Sequence, residues 1–207
     1  MAGCVAGLMT MSLHPTLHLG AAPTPAELTK LARMDRVVHG LATAGVILVF
    51  LGTLALTRRL AAGNRLSLAA LVVYGFAVAA IVVAATLDGF VAADLVDRMA
   101  AGGPKLDSLW MLLDYNTRIV VALSAMYVMG TSIAIFLWSL AALQTRRLAV
   151  GLGWYGLIAA ALIMLALLSG HVRLDVHGFG AIWLMQSIWF IAAGCLLMRL
   201  PIPPEGR

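Results

Sequence analysis

The chain has 207 residues, 62% of them hydrophobic and only 11% charged, with a mean hydropathy of +0.99. A water-soluble domain is about 45–50% apolar and about 25% charged, so this composition excludes a soluble globular protein and, equally, a disordered one. The formal net charge of +5 resides in arginines gathered at the ends of apolar blocks, which points to membrane orientation rather than to nucleic acid.

Taken in chain order, the first apolar block is 1–13. At about 1.5 Å per residue it covers roughly 20 Å of a hydrocarbon layer about 30 Å thick. It has no basic leader and ends at His14-Pro15, so it reads as the outer half of a sixth span rather than as a signal peptide. A start site assigned too late would account for the missing half. The segment 14–36 follows on the outer side. Within it Thr24 is the expected N-cap, Pro25 the first helical residue and Glu27 the capping-box acid, and the helix they start is expected to run into the first full span.

Five blocks are long enough to cross a bilayer: 37–57, 66–87, 119–143, 148–169 and 178–198. None has Lys, Arg, Asp or Glu in its interior. A second outer segment, 89–117, is broken at Gly102-Gly103-Pro104. After the break Leu106, Leu109, Trp110, Leu113 and Thr117 recur at helical spacing, predicting an amphipathic helix continuous with the third span. The expected fold is all-α: a polytopic transmembrane helical bundle of five spans plus a partial sixth.

The loops Arg58–Arg65 and 144–147 are short and carry Arg58, Arg59, Arg65, Arg146 and Arg147, and the tail adds Arg199 and Arg207. The opposite side has as many basic residues, but spread over long segments with all the Asp residues and Glu27. The density of arginine beside the spans puts the tight loops and the C-terminus in the cytoplasm of a cell with a plasma (inner) membrane.

All five histidines, His14, His18, His39, His171 and His177, fall at the opposite, outer end. Ionisable groups at membrane depth are costly and mark function by default. Asp35 and His39 share a helix face, so the carboxylate could orient the imidazole. Asp88 lies at the end of the second span, with Arg118 as its expected partner on the third. Asp107, Asp114 and Arg118 lie within about 40° of one another on that helix, and Asn116 is a further polar candidate beside them in sequence. The loop 170–178 would set His171, Arg173, Asp175 and His177 on one side if extended. Together these form a candidate outer-side ligand pocket. His39 and His177 are the candidate metal ligands, for a transition metal or as the two axial ligands of a haem.

Other features read as packing. Gly40 with Ala44, Gly151, Gly153, Gly156 and the alanines at 159–161 would let helices approach closely. Trp138, Trp154, Tyr155, Trp183 and Trp189 suit interfacial belts and bundle contacts, and Cys195 suits a buried free thiol. No phosphate loop, nucleophile elbow, zinc-protease helix or redox cysteine pair is present in the sequence, and no lysine lies inside a span to form a Schiff base.

The residues Leu13-His14-Pro15, Val38-His39-Gly40 and His177-Gly178-Phe179-Gly180-Ala181, followed by Gln186 and Trp189, resemble the pattern of small bacterial multi-pass membrane proteins grouped in domain-of-unknown-function families. The resemblance implies the multi-span fold and no particular activity. Three roles stay open. The first is a binding or sensing protein for a small hydrophobic or lipid-like ligand, a metal or a haem. The second is a membrane-embedded enzyme using His and Asp as acid and base on a lipid-like or quinone-like substrate. The third is an accessory subunit docking a membrane-protein partner. No nucleophile–base constellation is legible, so binding and accessory roles rank above catalysis.

Overall fold

A computed structural model of the chain describes residues 1–12, 24–60, 64–102 and 105–199. Among the described residues seven α-helices follow one another: α1 Ala2–Ser12, α2 Pro25–Leu60, α3 Arg65–Thr86, α4 Ala93–Ala100, α5 Leu106–Thr145, α6 Val150–Leu168 and α7 Val176–Arg199. A π-helical segment, Leu87–Ala92, joins α3 to α4 without a break. Among the described residues there is no strand. Five helical stretches among the described residues, α2, the α3–α4 unit, α5, α6 and α7, are long and apolar enough to cross a membrane.

The helix boundaries follow from side-chain caps. Thr24 and Glu27 form the expected capping box: the Thr24 backbone N–H donates to the Glu27 carboxylate at 2.8 Å, and the Glu27 N–H donates to Thr24 Oγ1 at 3.3 Å. Asn64 Oδ1 accepts from the Leu66 N–H to start α3. Asp175 Oδ1 accepts from the Gly178 N–H to start α7. At their C-termini, α5 stops at Arg146 and α6 at Gly170, both with positive φ. The two loops at the arginine end are tied together: Asn64 Nδ2 donates to Gln144 Oε1 at 3.0 Å, and Arg147 donates to the Arg59 carbonyl at 2.7 Å.

The helix α3 packs chiefly on α5, and α5 in turn on α6. In a bilayer the apolar surface is solvated by lipid, so close van der Waals fit and polar pairs hold helices together. Tyr74, Trp138, Trp189 and Phe190 form one buried aromatic cluster, with Trp138 and Trp189 stacked at 6.0 Å. The Trp138 indole N–H donates to Thr57 Oγ1 at 3.1 Å. Gly156 lies beneath Ser139 and the Trp189 ring, where a Cβ would stand 2.5 Å from the indole nitrogen. Gly153 has the same role against Leu143. Gly40 and Gly151, expected to do likewise, face open space. Trp138, Trp183 and Trp189 are core residues, whereas Trp154 is exposed. The buried thiol is Cys4; Cys195 is half-buried, its Sγ 3.8 Å from Met1 Sδ.

The short helix α1 packs along α2 and touches α7. Gly3 and Gly45 approach backbone to backbone, Gly7 lies under the Trp183 ring, and Met1 reaches Gly194. Its eleven residues cover about 16 Å, less than the thickness of a bilayer core. The outer segment 89–117 is helical on both sides of residues 103–104, its second part continuous with the third span as expected. The second span does not end at residue 87: its helix continues to Ala100, and α5 begins at Leu106. The two form a helical hairpin that stands on the histidine end of the bundle. Helix α2 likewise projects there, and Arg36 NH2 meets Asp97 Oδ2 at 2.6 Å across it.

Candidate functional site

The site grows from the π-helical segment. A π turn holds one residue more than an α turn and shifts the side chains that follow. Here it sets Asp88 and Gly89 directly against His39 on α2. Gly89 is required: a Cβ there would come within 2.7 Å of His39 Cγ and 3.1 Å of Nδ1. Asn116, buried on α5, donates from Nδ2 to the Leu87 carbonyl at 3.2 Å, pinning the first residue of the widened turn.

His39 is 8% exposed, and both its ring nitrogens are engaged. Nδ1 lies 2.9 Å from the Asp35 backbone carbonyl. A carbonyl only accepts, so Nδ1 carries the hydrogen. Nε2 lies 3.1 Å from Asp88 Oδ2. With Nδ1 protonated, a second proton must sit between Nε2 and the carboxylate, because two lone pairs at that distance repel. The dyad therefore holds one shared proton, on the imidazole or on the acid, and is neutral as a unit. Asp35 orients the ring through its backbone carbonyl, where the sequence had suggested its carboxylate.

This dyad forms part of the wall of a cavity of about 660 Å³ at the histidine end, between α1, α2, α3, α5 and α7. The wall is mostly apolar, with Val46, Ile81, Val120, Val121 and Phe179 prominent. Thr10, Thr117 and Ser124 add hydroxyls, Trp183 adds an indole face, and Arg173 to Val176 form one side. Cavities of about 300–1,000 Å³ with a few convergent polar groups are the usual form of small-molecule sites. Comparison of the chain with family models, with curated proteins and with solved structures gives no match. The site must be read from its own residues.

Of the residues singled out in the sequence, the structure brings together His39, Asp88, Arg173 and Asp175 as cavity lining, with Asp35 and Asn116 behind them. Arg118 is not the partner of Asp88. Its Nε bonds Asp114 Oδ2 at 2.9 Å one helical turn away, and both side chains are mostly exposed. The loop after α6 is not extended through residue 177, because α7 starts at Val176. His171 is exposed with its Nδ1 on Ser169 Oγ at 2.8 Å. His177 is exposed and lies outside the cavity lining, so the lining does not pair it with His39. Among the described residues no group of three or more His, Cys, Asp or Glu side chains could hold a metal ion; His14 and His18 lie outside them. Residues at the site that the sequence did not mark as candidates are Gly89, Thr10 and Ser124, together with Thr117 and Trp183, which it read as helix-pattern and packing residues. Only Gly89, directly after an acid at a span end, carried a local signal.

Proposed function

We propose that this multi-pass membrane protein binds a small amphiphile in the cavity at its histidine end, as a sensor or as the ligand-holding subunit of a larger assembly. The observation that carries this reading is the union of a mostly apolar chamber with a hydrogen-bonded polar point in its wall, the His39–Asp88 dyad at 3.1 Å. A purely apolar molecule would leave that point unmatched, and a purely polar one would leave the walls bare. The Asp88 carboxylate, 39% exposed at its side chain, is the group that meets the ligand's head, most simply a hydroxyl. Gly7, Met11 and Ala42 complete the seat for an apolar tail.

Catalysis is the second reading, since a His–Asp pair in a cavity is acid–base equipment. Binding is favoured because neither ring nitrogen of His39 faces the chamber: Asp35 takes one and Asp88 the other. A general base needs a nitrogen directed at the substrate. A transition metal or haem on His39 and His177 is the weaker ligand, given the exposure of His177. The reading includes a plasma-membrane location with the arginine loops and C-terminus in the cytoplasm, and the likeness to small bacterial multi-pass proteins.

The test is extraction in a mild detergent, followed by native mass spectrometry and organic extraction of the retained molecules. An amphiphile present near one per chain, and lost in both Asp88→Ala and Ser124→Phe, is the expected result. Protein that retains nothing, and whose thermal stability responds to no added alkyl alcohol, would sink the proposal.

A further inference from the structure

The charges in the cavity wall balance in sum, but they are not all paired. Among the described residues, four ionisable ones line it: His39, Asp88, Arg173 and Asp175. Asp88 is balanced by the proton it shares with His39. Asp175 accepts the Gly178 N–H at 2.8 Å at the start of α7, where the helix dipole is positive. Arg173 is different. No acid lies within ion-pair distance of it among the described residues, and residues 13–23 contain neither Asp nor Glu. A guanidinium cannot shed its charge by losing a proton. Arg173 is exposed at the edge of the chamber, so water screens it on one side and its guanidinium is accessible to an anion entering the chamber.

The geometry points to an anionic amphiphile as the occupant: a carboxylate or phosphate oxygen on Arg173, and an apolar chain against Ile81, Val121 and Phe179. This rests on the amphiphile-binding reading and narrows it to a chemical class. The guanidinium fork matches both anions in the same bidentate way. A fatty acid and a monoacyl lipid phosphate therefore share the recognition chemistry, and a hydroxyl beside the anion would serve Asp88.

The full chain in a nonionic detergent provides the assay, through quenching of tryptophan fluorescence by three chain-terminally brominated probes: dodecanol, dodecanoate and dodecyl phosphate. Trp183 lines the cavity, so saturable quenching that disappears in Trp183→Phe reports on this site. The expected result is that at least one anionic probe binds about tenfold or more tighter than the alcohol. Arg173→Gln should abolish that preference while leaving alcohol binding in place. Tighter binding of the phosphate assigns a lipid phosphate, and tighter binding of the carboxylate a fatty acid. Equal binding of all three, or a preference that survives Arg173→Gln, overturns the anionic assignment and leaves the amphiphile reading intact. No saturable quenching by any probe, or quenching that persists in Trp183→Phe, overturns both.

Discussion

Gly89 and His39 are in direct contact across the junction of α2 with the π segment, with no room for a Cβ between backbone and ring. The virtual Cβ overlaps His39 Cβ and crowds Cγ and Nδ1 of a ring held at each nitrogen, so the side chain cannot swing aside without breaking a hydrogen bond. Gly89→Ala is therefore expected to cost about 1–3 kcal/mol, in the range of other overpacking changes, and to weaken ligand retention together with stability. Thermal unfolding in detergent, read beside ligand retention, checks both effects. A variant as stable as the parent would mean that the helices can part at this point.

The shared proton makes a spectroscopic prediction. With Asp88 in place, nitrogen-15 NMR of labelled histidine should find His39 with hydrogen on Nδ1 and a strongly hydrogen-bonded Nε2. In Asp88→Asn the amide can donate to Nε2, so the ring should become a neutral imidazole protonated on Nδ1 alone, with its position kept. Unchanged His39 shifts in Asp88→Asn would refute the dyad.

The glycines on α6 should separate cleanly. Gly156→Ala must displace Ser139 or the Trp189 ring and should destabilise the bundle by about 1–3 kcal/mol. Gly151→Ala meets open space and should be neutral or gain up to about 1 kcal/mol from helix propensity. Denaturant titration in mixed micelles measures the pair side by side.

Orientation is open to labelling of intact cells. Gln144 and His171 are both exposed and lie at opposite ends of the bundle. A membrane-impermeant maleimide should modify His171→Cys and spare Gln144→Cys until the cells are lysed. The reverse pattern would turn the protein over and put the cavity on the cytoplasmic side.

Much of the architecture was legible because it is local. The capping box at Thr24, Pro25 and Glu27, the five uncharged spans and the helix entering α5 all follow from neighbours in sequence. The polar cluster was legible as a set, since its members crowd one end of the chain's spans. Its pairing was not. Arg118 finds Asp114 within its own helix at little entropic cost, so it is unavailable to Asp88, and no helical wheel of α5 alone reveals which choice wins. Asn116 looked like a ligand group because it is polar, whereas its work is to hold the Leu87 carbonyl. The widened turn itself has no composition signature in Leu87–Ala92, and it decides where Asp88 points.

That turn also sets the register of two attachments at once. Asp88 and Asp97 are nine positions apart, and at about 100° per residue an unbroken α-helix would set them roughly half a turn apart, on opposite faces. Yet both bond to α2, Asp88 through His39 and Asp97 through Arg36. The additional residue taken up by the π segment absorbs about 100° of that rotation, turning the two acids toward the same neighbour. A chain shortened by any one residue between 87 and 92 would have to choose between them. It would either keep its proton-sharing pair and release the projecting hairpin, or keep the hairpin and dismantle the site.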